Sequence, residues 1–539
     1  MPALLMRPSP CLRCAASCFW HGFCSLPRMH TLVINLTRFG DLLQTQPVFS
    51  GLRRRGGSAG LVCLDSFKGA AALLRDVEQV RVLPGARLLA QLDRGWPLAV
   101  EELTSWLDHT PHAPFDQLVN LTPTLSARLL SRAMHDGRIE GFGLDDHGFG
   151  EYSTPWATFL QAASAHRGCS PFNLVDLFQR VAGLDPGEFR LQTPKAPALA
   201  CADALLGSRA EKRVAFQLGA SQDYRRWPVA SFVRAGRVLW AKTGRMPVLL
   251  GTASESHLAR EFMDLADYPC TDLTGRTDLT TLAAVLTRMD LLLTNDTGTM
   301  HLAAGLGGPV AAVFLATAQP FDTGPYLEGS LSLEPDLPCH PCSFGEKCPH
   351  GLACRDSIDG EAVGDMLAGY LDLKSWNVAP GFKGRVWQAR RDEAGFMDLF
   401  SVSGHEGQDR SRWIRIQREV YRQFLDQKPG VGNFSWPASD SDFRDALVRD
   451  LERGALMLTL VEEQGHVLAL RPDAPMKPKF LVNCQNLEDF FSRSPSFGIL
   501  GPMWRFQSRA ESVSMAAFLE LCVRYRGLLD VFKRRLMLA

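Results

Sequence analysis

The sequence has no excess of either charge: 58 Lys and Arg stand against 58 Asp and Glu over 539 residues. A zero balance with no basic block leaves no electrostatic argument for a nucleic-acid partner. Long hydrophobic runs are missing too. No uninterrupted apolar stretch is long enough to span a bilayer, which excludes a spanning helix but not association with a membrane surface. A cysteine framework is also lacking. The 14 cysteines are scattered apart from two clusters, a usage that suits a reducing cytoplasm better than a disulfide scaffold. What is present is a soluble globular composition, 46% hydrophobic and 22% charged. The length is too great for one core and suggests about three units of ordinary size.

Residues 1–28 differ from all that follows. Pro2, Pro8, Pro10, Arg7, Arg13 and His21 interrupt any apolar core, so the stretch is a poor signal peptide. Cys11, Cys14, Cys18 and Cys24 match no metal-ligand spacing. The expectation is an upstream extension, with the functional start at Met29.

From there apolar strands alternate with helices. Thr31–Leu36 reads as a buried strand, followed by a Gly40-Asp41 turn into a helix. Gly40 permits a tight turn. Asp41 falls at the C-terminal end of the first strand, where open α/β sheets bind ligands, though an aspartate there also serves as a plain N-cap. Further strands are expected at 60–64, 80–83, 115–121 and 138–142, with helices at 98–107, 151–165 and 173–183. Pro186 to Pro197 is turn-rich and reads as a linker. A second alternating series opens at Arg213–Leu218, with strands expected at 247–251, 291–293 and 309–315. The pattern predicts two doubly wound parallel sheets in series, with a cleft between them as the natural ligand site.

The centre of the second series is Leu291-Leu-Leu-Thr-Asn-Asp-Thr-Gly-Thr-Met-His-Leu-Ala-Ala304. A strand runs through a Gly-containing turn into a helix whose free N–H groups and dipole favour a phosphate. Asp296 can accept hydrogen bonds from sugar hydroxyls, and His301, one turn in, points back toward the turn. Taken alone, the stretch reads first as a capped βα turn with a core-facing histidine.

Together, Leu36-Thr-Arg-Phe-Gly-Asp-Leu-Leu43, Gly219-Ala-Ser221, Arg225-Arg-Trp-Pro228, Gly251-Thr-Ala-Ser-Glu255, Leu273-Thr-Gly275, Asn295-Asp-Thr-Gly298, His301-Leu-Ala-Ala304 and Thr323-Gly-Pro-Tyr326 resemble the family 9 glycosyltransferases, the heptosyltransferases of lipopolysaccharide assembly. The resemblance covers about Met29 to Asp359. It implies a GT-B type fold, with a Rossmann-like acceptor domain at 29–190 and a Rossmann-like nucleotide-sugar donor domain at 191–373. It implies inverting, metal-independent transfer of heptose from ADP-heptose to a lipopolysaccharide-core or related saccharide acceptor, in the cytoplasm or at the cytoplasmic face of the inner membrane. Asp41 would be the catalytic base. Ser221, Arg225, Glu255, Asp296, Thr297, Gly298 and His301 would hold the donor, with Arg38 and Gly40 on the acceptor side. Three positions depart from the family: Arg225 stands where Lys is frequent, Arg38 where a small residue is usual, and Gln217-Leu218 where His-Pro is usual. These leave the sugar and acceptor more open than the fold. Another nucleotide-activated sugar, moved onto a surface glycan or protein, is the alternative transfer. A non-catalytic sugar-nucleotide-binding scaffold is the alternative class.

Cys339, Cys342, Cys348 and Cys354 lie close together. Such thiols are compatible with a structural zinc clip, or equally with plain or disulfide-linked cysteines. No cofactor is expected for catalysis. Residues 374–539 carry no motif and read as a mainly helical accessory domain: helices at 411–425 (capped by Ser411), 442–456 and 516–536, and a hairpin at 457–461 and 466–470. Trp413, Trp436, Trp504 and Phe506 offer core or a sugar-stacking face, core being the default.

Overall fold

In a computed structural model the chain is described over residues 29–109, 115–207, 212–427, 436, 441–510 and 514–537. The expected extension at 1–28, with its four cysteines, lies outside them.

The first half follows from strands buried on both faces, which must be apolar throughout. β1 (His30–Ile34) leads through α1 (Phe39–Gln44) and α2 (Gln46–Arg54) to β2 (Ser58–Leu64), α3 (Lys68–Ala71) and β3 (Gln79–Leu83). The helical pair α4 (Gly85–Arg94) and α5 (Trp96–His109) follows, then β4 (Gln117–Asn120), α6 (Leu125–Met134), β5 (Ile139–Leu144) and β6 (Gly150–Tyr152). The sheet order is β3-β2-β1-β4-β5-β6, parallel except for β6. Helices α7 (Pro155–Ala165) and α8 (Leu174–Val181) close this half, with Thr154 and Asn173 as side-chain N-caps.

The second half is α9 (Ala196–Leu206), β7 (Arg213–Gln217), α10 (Val229–Thr243), β8 (Met246–Leu250), α11 (Ser256–Leu265), β9 (Thr271–Asp272), α12 (Leu279–Leu286), β10 (Leu292–Asn295), α13 (Gly298–Gly305), β11 (Val310–Val313), α14 (Pro320–Thr323), β12 (Leu331–Glu334) and α15 (Gly360–Leu373). The strand order β9-β8-β7-β10-β11-β12 is the doubly wound one, with its switch point between β7 and β10. In the first half the switch lies between β1 and β4. Both switch points open at strand C-termini, where Asp41 and Asp296 sit.

The sheet does not stop at residue 373. β13 (Arg385–Arg391) pairs antiparallel with β12, and β14 (Met397–Ser401) with β13, so the division expected at 374 is followed by two strands of the second sheet. Helices α16 (Asp409–Asp426), α17 (Asp442–Leu470), α18 (Lys477–Ser492), α19 (Leu500–Ala510) and α20 (Met515–Met537) form the helical C-terminal region. The expected hairpin at 457–470 is instead the second half of α17. Leu447, Leu451, Gly454, Leu458, Val461, Gly465 and Leu468 are all buried at alternating spacings of four and three, which is a helix face. Ser411 lies inside α16 rather than capping it, its hydroxyl donating to the His405 carbonyl at 2.8 Å. Trp413, Trp436 and Trp504 are core side chains. Among the described residues, no helix is long and apolar enough to cross a membrane.

Helix α16 reaches both halves. Asp426 accepts from Trp156 Nε1 at 2.7 Å and from Arg180 at 2.6 Å on the first half. Arg410 donates to the fully buried Glu334 of β12 at 2.6 Å.

Candidate active site

Four turns at the two switch points face one another. After β1, Asn35 Oδ1 accepts from the Thr37 amide at 3.0 Å and shapes the entry into α1. Asp41 lies in the first turn of that helix, where the dipole favours a carboxylate. After β10, Asn295 sends Nδ2 to the carbonyls of Leu218 and Gly219 at 2.9 and 3.0 Å, and accepts from the Trp227 amide at 2.9 Å. This one buried side chain ties the 219–227 loop, which carries Ser221 and Arg225, to the strand that delivers Asp296.

The halves touch where α1 crosses α13. A Cβ on Gly40 would stand 2.9 Å from His301 Cδ2, and one on Gly298 would enter the Phe39 ring. Only glycine allows this approach at either position. The Gln44 side-chain amide meets His301 Nδ1 at 3.2 Å. Burial pulls the His301 pKa down to about 4, so the ring is neutral near pH 7.

Asp41, Arg38, Thr37, Arg167, Arg225, Asp322 and Phe344 line one cavity of about 350 Å³ between the halves. Burial raises the Asp41 carboxyl above the ordinary range, and Arg167 and Arg38 pull against that rise. Arg225 forms an ion pair with Asp296 and donates to Ser221 Oγ at 3.4 Å. Arg167 pairs through Nε with Asp322, whose carboxyl is also raised by burial. Thr297 is the N-cap position of α13 and lies 3.2 Å from Thr294 Oγ1. Glu255 closes a capping box with Thr252, its Oε2 accepting from the Thr252 amide at 2.7 Å, and its carboxylate fills the space where Gly219 has no side chain.

The structure thus brings Asp41, Arg38 and Arg225 into one cavity. Ser221 and Asp296 sit behind Arg225, and Gly40, Gly298 and His301 form the contact beneath. Glu255 stands apart, against the 219 turn. The sequence reading did not find Arg167, Asp322 or Gln44. Asp322 sits directly beside the Thr323-Gly-Pro-Tyr326 motif, which is a signal. Gln44 directly follows the Leu36–Leu43 motif, the same kind of signal, and Arg167 carries none.

Cys339, Cys342, Cys348 and Cys354 line a neighbouring cavity of about 740 Å³ together with Tyr224 and Thr317. Burial and the adjoining thiols push Cys342 up to about 11. Among the described residues no group of three or more His, Cys, Asp or Glu is gathered to hold a metal ion. The loop bearing these cysteines puts Phe344 over the Arg167 guanidinium, 5.9 Å from the ring centroid.

Residues 113–352 match the family model described as glycosyltransferase family 9 (heptosyltransferase), a match that begins after Asp41. No curated protein matches the chain. Similar solved structures include a family 9 glycosyl transferase from Veillonella parvula DSM 2008, at 18% identity over 56% of this chain and 85% of that one, TM-score 0.46. The E. coli ADP-heptose LPS heptosyltransferase II is 17% identical over 64% and 99% of the two chains, TM-score 0.46. E. coli heptosyltransferase WaaC with ADP is 19% identical over 56% and 91%, TM-score 0.42. The match takes in β4 to β6 of the first sheet and β7 to β12 of the second, and it is over these residues, 113–352, that the chain carries a domain of glycosyltransferase family 9 (heptosyltransferase).

Proposed function

We propose that the protein transfers a heptose from ADP-heptose, with inversion, to a saccharide acceptor of the lipopolysaccharide-core type. The observation that carries this reading is one cavity with a carboxylate of the first half, Asp41, facing a cation of the second, Arg225, beside the N-terminus of α13. Asp41 takes the proton of the acceptor hydroxyl as that oxygen forms its bond to the sugar C1. The C1–O bond to the diphosphate breaks through an oxocarbenium-like state on the opposite face, and ADP departs with the electron pair. Its growing charge is met by Arg225 and the free amides of α13, which are already fixed in place. Asp296, released from Arg225 when the diphosphate arrives, becomes available to sugar hydroxyls. In this reading the fixed cations do the work a metal does elsewhere, and chelators leave the rate unchanged.

Replacing the base separates chemistry from binding. Asp41→Asn is expected to lower kcat about 10²–10⁴-fold while leaving ADP affinity, read by calorimetry, within about twofold. Parallel titrations with UDP and GDP test the donor. Preference for either would overturn ADP-heptose and keep the transferase. Absence of any nucleotide binding by the native protein would overturn the enzyme reading.

A further inference from the structure

Charged and titratable groups from six elements face Asp41. Arg38 stands before α1 and Arg167 after α7. Arg225 follows β7, Asp296 follows β10, His301 lies in α13 and Asp322 in α14. Most of them are committed elsewhere. Arg225 is spent on Asp296 and Ser221. Arg38 is solvent-exposed, His301 is neutral, and both remaining carboxylates repel Asp41. Arg167, though ion-paired through Nε with Asp322, is the half-buried cation that lines the cavity with Asp41, and the second half aims it. Asp322 holds its Nε. Gln319 Nε2 donates to its carbonyl and, at 3.1 Å, to that of Ser170. Phe344 covers the guanidinium. Held by Nε, the fork keeps its two terminal nitrogens for the cavity it lines.

We infer that Arg167 is a positioning residue for the transfer, a cation that the donor half fixes through Asp322 and Gln319 so that Asp41 stays a carboxylate inside a closed cleft. The inference rests on Asp41 being the base. Burial alone would favour a neutral acid there, which cannot accept a proton. A fixed guanidinium offsets part of that penalty and at the same time pairs with Asp322. The base is then competent only while the second half is seated against the first. Sequence distance hides the arrangement, because Arg167 and Asp322 lie 155 residues apart.

The test is the pH profile of kcat/KM for the full chain with ADP-heptose, run beside ADP calorimetry. Removing the cation raises the pKa of Asp41, so Arg167→Gln should move the acid limb upward by about one pH unit, about tenfold in rate on that limb. Activity should recover as the pH rises, with ADP affinity within about twofold of native. Arg167→Lys, which keeps the charge, should restore most of the limb. A loss that is equal at every pH, or one that follows ADP affinity, would overturn the inference in favour of a structural or phosphate-binding role. Aspartate-selective ¹³C NMR gives a readout that needs no turnover, with Asp41→Asn assigning the signal. The Asp41 midpoint should rise in Arg167→Gln, and an unmoved midpoint overturns the inference. A native protein that transfers nothing would sink the proposed reaction, while the NMR titration would still decide the link between Arg167 and Asp41.

Discussion

At Gly40 the two halves come within a methyl group of each other. Alanine there would gain about 1 kcal/mol of helix propensity, but its Cβ would press into the buried His301 ring, and such overpacking costs about 1–3 kcal/mol. The Gly40→Ala protein is therefore expected to melt at a lower temperature and to bind ADP more weakly, both readable by thermal shift with and without ADP. An unchanged or higher melting temperature would show that the helices part easily. The residue scale is also where the sequence was most and least legible. Asp41, Asp296 and Gly298 could be named because they sit in turns at strand ends, where local chemistry and position coincide, and Arg225 through the family resemblance. Arg167 could not, and Gln44 only as the neighbour of a motif. Gln44 meets His301 across 257 residues, and no local pattern marks a side chain whose partner is supplied by another sheet.

Among the elements, α17 shows how a local reading misleads. Met457-Leu-Thr-Leu-Val461 is a short apolar run, and Gly465 after two glutamates looks like a turn. Yet Gly465 is where α17 approaches α20, a Cβ there standing 3.0 Å from Leu519 Cδ2, and Gly454 makes room for the Phe491 ring. Their meaning is close helix packing, which only the whole 29-residue period reveals. Leu458, 1% exposed, faces that seam. Leu458→Ala should cost about 2–5 kcal/mol, seen as a lowered urea midpoint. If residues 457–470 were a peripheral hairpin, the same change would cost little. Most parallel strands, by contrast, were readable to within about two residues, because burial on both faces demands an apolar run, while the short β9 and β12, whose Thr271-Asp272 and Leu331-Ser-Leu-Glu334 carry polar residues, were missed.

On the scale of the whole molecule, length and the change of pattern near residue 374 predict about three units, but the second sheet runs on past that residue through β13 and β14. β13 and β14 join the second sheet by backbone pairing, which composition does not encode. The helical region is likewise part of the core rather than an appendage. Tyr421 packs on Phe159 at 5.2 Å between ring centroids and Phe506 on Tyr152 at 5.1 Å, and Trp156 gives its indole N–H to Asp426. A chain ended after residue 407 would expose these aromatic faces together. It is expected to aggregate, or to elute as soluble oligomers in size-exclusion chromatography, rather than to yield a monomeric two-sheet enzyme.

The reach of α16 has a consequence for how substrates come and go. A bar pinned at both ends does not swing. Wide separation of the sheets would tear Arg410 from Glu334, which would keep Arg385 at 3.0 Å, and Asp426 from both Arg180 and the Trp156 indole, so opening loses several contacts at once. In the proposed reaction, exchange of sugar and nucleotide is then drawer-like, through the cavity that Arg38 and Phe344 line, with side chains yielding and the frame standing still.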